Sequence, residues 1–362
     1  MLKRVILECI FLLIGLITYN QTSVRNTVFI DTLSPQTSRG SETQELSKQF
    51  TATCDFLDAA INSLNSFNGL IKKENYRIKI TSFNNPTSSE MGFNLENEIQ
   101  SALKPLLAKA KNTNTNKFSQ VVATLITGQS KTTTPVKTVT NGVNPLFSTL
   151  MSLVGTLTIQ EKKITREDLD SFILTTSKYF VQYEKLNQAN ILFDQNIEKI
   201  NNRLKDLQFD IKEYILDMIT ILNKNVQRSL LKNLNTEELF LKYLDKEKIQ
   251  FLSSEGNDET QNSFRYPTDG IKTAKDIAYN LQKLFNEYQK VYGDNYQQIR
   301  SILLESKSLG KNINTKQVDN SLKELEELYN ESKNSDIISL RLTTLFERLK
   351  VLAATEQAVV RK

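Results

Sequence analysis

From Leu169 the chain places apolar or aromatic residues on alternating steps of four and three. The series runs through Phe172, Tyr179, Tyr183 and Leu186 to Tyr214, Met218 and Ile221, with Thr176 and Asn190 as its polar members. Sixteen positions stay in register, and that period is one face of an α-helix packed in a coiled-coil-like manner. Neither glycine nor proline occurs between Gly155 and Gly256. Thr165 followed by Arg166, Glu167 and Asp168 supplies an N-cap with acids in the first turn, where the helix dipole favours them. The pattern predicts one helix from 165 to about 223, roughly 90 Å long.

The same period marks further helices. Phe50, Cys54, Leu57, Ile61, Leu64 and Ile71 share a face, with Gly69 near the end. Another helix is predicted from about Ser89 to Lys111, kinked at Pro105. Asn235 and Thr236 before Glu237 and Glu238 restart a helix to about Leu252. Ala274 to Ile302 form a second long helix ended by Gly310. Two more close the chain, through Val318–Tyr329 and Ile338–Leu352. Each needs a partner for its stripe, so they are expected to fold back antiparallel on 165–223. YRIKITSF (76–83) instead alternates with period two, which predicts a short strand paired with TVFIDTL (27–33).

Two apolar segments interrupt this scheme, FSQVVATLITG (118–128) and VNPLFSTLMSLVG (143–155), joined by a Thr-rich loop. The run from Thr138 to Gln160 carries no charge. On a helix, Leu146, Phe147, Leu150, Met151, Val154 and Leu157 share one face, and small hydroxyl residues share the other. The apolar part, 146–159, would be roughly 21 Å long against a hydrocarbon core of roughly 30 Å, so it does not span a bilayer alone. The small face favours close packing against another helix, as a core segment. Taken with 118–128, the same residues form an apolar hairpin with a polar tip on a helical stalk. That layout resembles the helical pore-forming toxins, soluble bundles that hide an apolar hairpin and release it at a membrane. The resemblance is one of architecture, over about 40 residues. It implies membrane contact through these six residues.

Composition narrows the chemistry. Histidine is absent, which removes Ser-His-Asp and Cys-His catalysis, imidazole acid–base work and the common zinc sites. Tryptophan is also absent, and Cys54 is the one thiol outside the N-terminal apolar stretch that holds Cys9. It sits on an apolar helix face, as a buried inert thiol does. Eleven single glycines include no phosphate-cradling motif. EGNDE (255–259) has no metal-cage spacing, and Glu324, Glu326 and Glu327 lie on a solvated helix face. No catalytic, cofactor or metal residue is assigned. The 46 basic and 41 acidic residues give a net charge of +5 without a basic tail, so nucleic acid is not an expected partner. Tyr179, Tyr183 and Tyr214 read either as bundle core or as a partner groove. Asn190 reads as a register-setting residue.

Lys3 and Arg4 followed by apolar Val5–Tyr19 read as an export signal or a retained anchor. The expected division is a leader or anchor at 1–21, a polar extended arm at 22–49, a helical region with a short strand and the apolar hairpin at 50–160, and a long-helix bundle at 161–362. The fold class is mostly all-α, an elongated antiparallel bundle with a small two-stranded β element near the N-terminus. The expected role is that of an exported, non-enzymatic interaction protein of the bacterial envelope, in the periplasm or at the surface, that binds a protein partner. The alternative is a membrane-active bundle using 118–159.

Overall fold

In the computed structural model the protein is all-α, and residues 36–109, 164–222, 226–244, 269–333 and 336–360 are described. Among these residues nine helices follow in order: α1 Gln36–Ile71, α2 Asn75–Phe83, α3 Leu95–Lys109, α4 Arg166–Leu222, α5 Arg228–Leu231, α6 Thr236–Tyr243, α7 Gly270–Ser306, α8 Thr315–Lys333 and α9 Asp336–Val360. The chain divides into two compact units, Met1–Glu42 and Thr43–Lys362. Of the first, the described residues are the opening turns of α1. All that follows concerns the second.

The long helix forms as its pattern predicts. α4 has 57 residues, about 85 Å at the α-helical rise. None of its sixteen seam positions is exposed, and Tyr179, Tyr183 and Tyr214 are buried. Thr165 Oγ1 accepts from the Asp168 backbone N–H at 3.3 Å, while the Asp168 carboxylate accepts from the Thr165 backbone at 3.0 Å. This reciprocal pair caps α4. Asn235 and Glu238 form the same kind of box at the start of α6.

α7 runs antiparallel to α4. Lys185 meets Glu305, and eighteen residues further along α4, Arg203 meets Glu287, eighteen residues earlier on α7. α8 and α9 in turn lie against α7. Tyr329 of α8 stacks on Tyr296 at 4.3 Å, and Phe346 of α9 meets Tyr279 edge-on at 5.5 Å. α1 packs on α7 through Phe67, edge-on to Phe285 and Tyr288 at 5.9 and 5.6 Å. Cys54 is fully buried on the inner face of α1 and is not part of a disulfide.

Two expectations need correction. The strand at 76–83 is helix α2. Tyr76, Ile80 and Phe83, spaced four and three, are buried, whereas Ile78, which completes the alternation, is 62% exposed. A helix satisfies its own backbone groups and needs no partner strand. The proposed pairing segment, 27–33, lies outside the described residues. The stretch 22–49 is not extended throughout either, since α1 begins at Gln36. Glu42, Gln44, Glu45, Leu46 and Lys48 all have good helix propensity.

Residues 84–94 between α2 and α3 form a turn whose later part, Met91–Phe93, is buried against α4, α7 and α8. Met91 and Phe93 are buried there, with Phe93 against the rings of Tyr179 and Tyr183. Gly92 has φ +83°, and its carbonyl accepts from the Asn314 N–H at 2.8 Å. Ser306 and Ser321 hydroxyls donate to the carbonyls of Met91 and Glu90. The carbonyls of residues 90–92 are thus taken up by the Ser321 and Ser306 hydroxyls and by the Asn314 backbone N–H.

Candidate interaction face

The seam of α4 is filled from within the chain. Tyr183 Oη donates to the Asn85 carbonyl at 3.3 Å, and Asn190 Nδ2 donates to the Ile80 carbonyl at 3.0 Å. Burial pushes the Tyr183 hydroxyl well above the ordinary tyrosine value. Burial does the same to Tyr179, helped by a hydrogen bond with Glu98. These hydroxyls are core groups at the edge of the bundle. Asn190 fixes α2 against α4, as a register residue does.

The opposite face of α4 is different. Leu174 is 76% exposed, Val181 45% and Leu192 46%. They lie seven and eleven residues apart, along one line of the helix. Ile173 and Ile191 flank that line and are also exposed. Beside it runs a furrow between α4 and α7, lined by Leu192, Asn196, Val291, Asp294 and Gln298. Buried Ala189, Phe193, Ile200 and Ile302 form its floor.

Ion pairs bound the furrow at both ends. Lys185 Nζ lies 2.5 Å from Glu305, and Arg203 pairs with Glu287. The hydrogen bond from Lys185 holds the Glu305 carboxyl below the usual carboxylate range, with Gln182 adding a second donor. Both pairs are about 40% exposed, so their worth lies in alignment more than in stability. The distance between them along α4 is roughly 27 Å, five helical turns. The lining mixes amides and charged side chains with small apolar patches, and Ser301 hydrogen-bonds the Glu305 carboxylate within it. It offers hydrogen bonds and a shallow apolar track. Among the described residues, no group of three His, Cys, Asp or Glu side chains is placed to hold a metal ion. No described helix is long and apolar enough to cross a membrane.

The six candidate contact residues read from the sequence, Leu146, Phe147, Leu150, Met151, Val154 and Leu157, lie outside the described residues. The described chain stops at Lys109 and resumes at Ile164. Lys109 Nζ sits 2.6 and 2.7 Å from the two oxygens of Asp168. The points where the chain leaves and re-enters the described bundle are therefore clasped together. Sequence reasoning missed the outer face of α4 because it followed the dominant seam. The available signal was Leu174, Val181 and Leu192, apolar residues outside the seam register.

The fold defines an all-α helical protein. The chain matches no known family model, no curated protein and no solved structure.

Proposed function

We propose that this protein is an exported, non-enzymatic helical scaffold of the bacterial envelope, acting by protein–protein binding. The observation that carries the reading is the furrow between α4 and α7, bounded by Lys185–Glu305 and Arg203–Glu287 and bordered by exposed Leu192. Its length of roughly 27 Å would take about five turns of a partner helix whose apolar side covers Leu192 and whose polar flanks meet Asn196, Asp294 and Gln298. An α4 of about 85 Å would hold two contacts far apart, as an elongated, coiled-coil-like spacer does. Scattering that gave a radius of gyration near 20 Å, about that of a compact globule of this size, would sink the spacer part.

A photo-crosslinker at Leu192 tests the binding part. The expected result is one discrete adduct in cells, with a protein whose affinity for the purified chain falls at least about tenfold on Leu192→Glu. The same charge at Leu230, which is 72% exposed on α5, should leave that affinity unchanged. Equal losses at both positions, or no adduct, would overturn the reading.

A second reading is membrane activity of the uncharged stretch. It is favoured by the Lys109–Asp168 clasp, because a hairpin released from the bundle needs both of its stems anchored at one place. Flotation of the purified protein with vesicles, with dye release in the same sample, should give leakage that Leu150→Asp abolishes while the helical signal survives. If Leu150→Asp unfolds the protein, the stretch is core and this reading fails.

A further inference from the structure

The exposed line on the outer side of α4 has an internal symmetry. Leu174 and Leu192 stand eighteen residues apart, five full turns, and so point the same way. Ile173 and Ile191 have the same spacing and lie along one flank. All four are exposed. An apolar pair thus recurs at two points of one helix, and Val181 is the exposed apolar residue between them.

Such a repeat suits an isologous contact, in which one patch faces its own copy across a two-fold axis. With two α4 helices antiparallel and Leu174 of each on Leu192 of the other, the axis passes beside residue 183, nine residues from both. The leucines alone fix that register, and the rest of the line then pairs without further choice. Glu167 and Lys199, both exposed and each sixteen residues from 183, come opposite one another at both ends. Val181 meets the stem of Lys185, whose ammonium is held by Glu305. Glu167, Val181, Lys185 and Lys199 all lie within about 20° of the leucine line. The surrounding charges agree. Around Lys199 the furrow carries Lys290 and Asp294, with Arg203 and Glu287 paired to each other. Lys199 and Lys290 against Asp294 leave one positive charge there. Around Glu167 stand Asp170 and Arg166, with Asp168 held by Lys109. Glu167 and Asp170 against Arg166 leave one negative charge.

We propose that the outer line of α4, from Glu167 to Lys199, docks antiparallel on the same line of a second copy of this chain. The helix that covers Leu192 is then α4 of that copy, so the inference rests on the reading of the furrow as a helix-binding face and names its occupant. The contact runs roughly 50 Å along each helix. Leucine meets leucine twice, with the isoleucines beside them on one flank. The two Glu167–Lys199 pairs select this register over a parallel one, which would set Glu167 against Glu167 and Lys199 against Lys199. The contact does not involve 118–159.

Sedimentation equilibrium of the purified full chain tests it. The expected result is a dimer whose Kd rises at least about tenfold in Leu174→Glu, in Glu167→Lys and in Lys199→Glu. All three positions are exposed, so each variant should keep the helical signal of the parent. An equimolar mixture of Glu167→Lys and Lys199→Glu should recover the dimer to within about threefold of the parent Kd, since the mixed pair sets opposite charges against each other at both ends. A chain that stays monomeric up to about 100 μM would overturn the proposal. So would a dimer that Leu174→Glu leaves intact, or a mixture that recovers nothing. The crosslinker at Leu192 separates this failure from that of the furrow reading. An adduct of twice the chain's mass supports both, an adduct with a different protein beside a monomeric chain overturns the second copy alone, and a monomeric chain with no adduct overturns both.

Discussion

Tyr76 Oη donates to Oδ1 of Asn295 at 2.8 Å, and Asn295 turns its amide nitrogen to the Ala189 carbonyl at 3.1 Å. One buried asparagine on α7 thus ties α2 to α4. Burial raises the Tyr76 pKa far beyond the ordinary tyrosine range, so the hydroxyl stays a donor throughout the range in which the protein can be studied. Tyr76→Phe keeps the ring packed, tilted, against Phe193 and Tyr292 and strands the Asn295 oxygen. The expected cost is about 1–3 kcal/mol, read as a lower urea midpoint with an unchanged slope. An unchanged midpoint would mean that Asn295 finds another donor and does not hold α2.

Gly92 is the one described glycine with positive φ. A Cβ there would fall 2.6 Å from Val318 Cγ2 and 2.9 Å from Ile313 Cγ2. Both methyls belong to buried β-branched residues, which have little room to rotate away. Gly92→Ala therefore combines left-handed backbone strain with overpacking, together about 2–4 kcal/mol. Thermal unfolding should show it as a loss of several degrees. Gly69, whose Cβ would meet nothing within 4 Å, is the control, and Gly69→Ala should be neutral or mildly stabilising.

Lys79 is 9% exposed and bridges Glu90 at 3.1 Å and Glu324 at 2.7 Å, with its ammonium 5.1 Å above the Phe83 ring. It joins α2, the 84–94 turn and α8. Lys79→Met keeps the stem and removes the charge, leaving Glu90 with the Ser82 hydroxyl at 2.6 Å as its remaining side-chain donor. Because Glu324 is 57% exposed and rehydrates readily, the loss should be about 1–3 kcal/mol, below that of a fully buried pair. Chemical denaturation of Lys79→Met and Lys79→Met/Glu90→Gln separates the terms. The double variant should recover part of the loss if the stranded carboxylate is its cause.

The helices were legible because burial on one face enforces a period, and the seam from Leu169 to Ile221 carried it without a slip. The capping residues Thr165 and Asn235 were legible for the same local reason, a side-chain oxygen set before an apolar run. The nature of 76–83 was not. YRIKITSF fits period two and period 3.6 equally over so few residues, and the choice fell to Asn295 and Asn190, far away in sequence, which receive the segment as a helix. The exposed line on α4 was hidden for a related reason. Leu174, Val181 and Leu192 look like scattered surface residues until α4 is seen to run unbroken through all three.

The clasp between Lys109 and Asp168 sets a pH dependence. The Lys109 ammonium, hydrogen-bonded to the carboxylate, and the Thr165 backbone N–H hold Asp168 at about 2, below its ordinary value of 3.8. A carboxyl depressed in the folded state stabilises the fold above its unfolded pKa and ceases to do so as pH falls through the folded one. The contribution of this pair is therefore complete above pH 4 and is lost between about 4 and 2. Asp168→Asn should remove that part of the acid sensitivity, so parent and variant converge near pH 2 and differ most above pH 4. Raising ionic strength should narrow the difference at neutral pH, since the lysine is half-exposed. Local opening is the sharper readout. Hydrogen exchange in the first turn of α4 should quicken below pH 4 in the parent, after correction for intrinsic rates, and should already be fast in Asp168→Asn at pH 7. Equal exchange in the two proteins at pH 7 would mean that Thr165 alone caps α4 and that the clasp does not hold the two stems together.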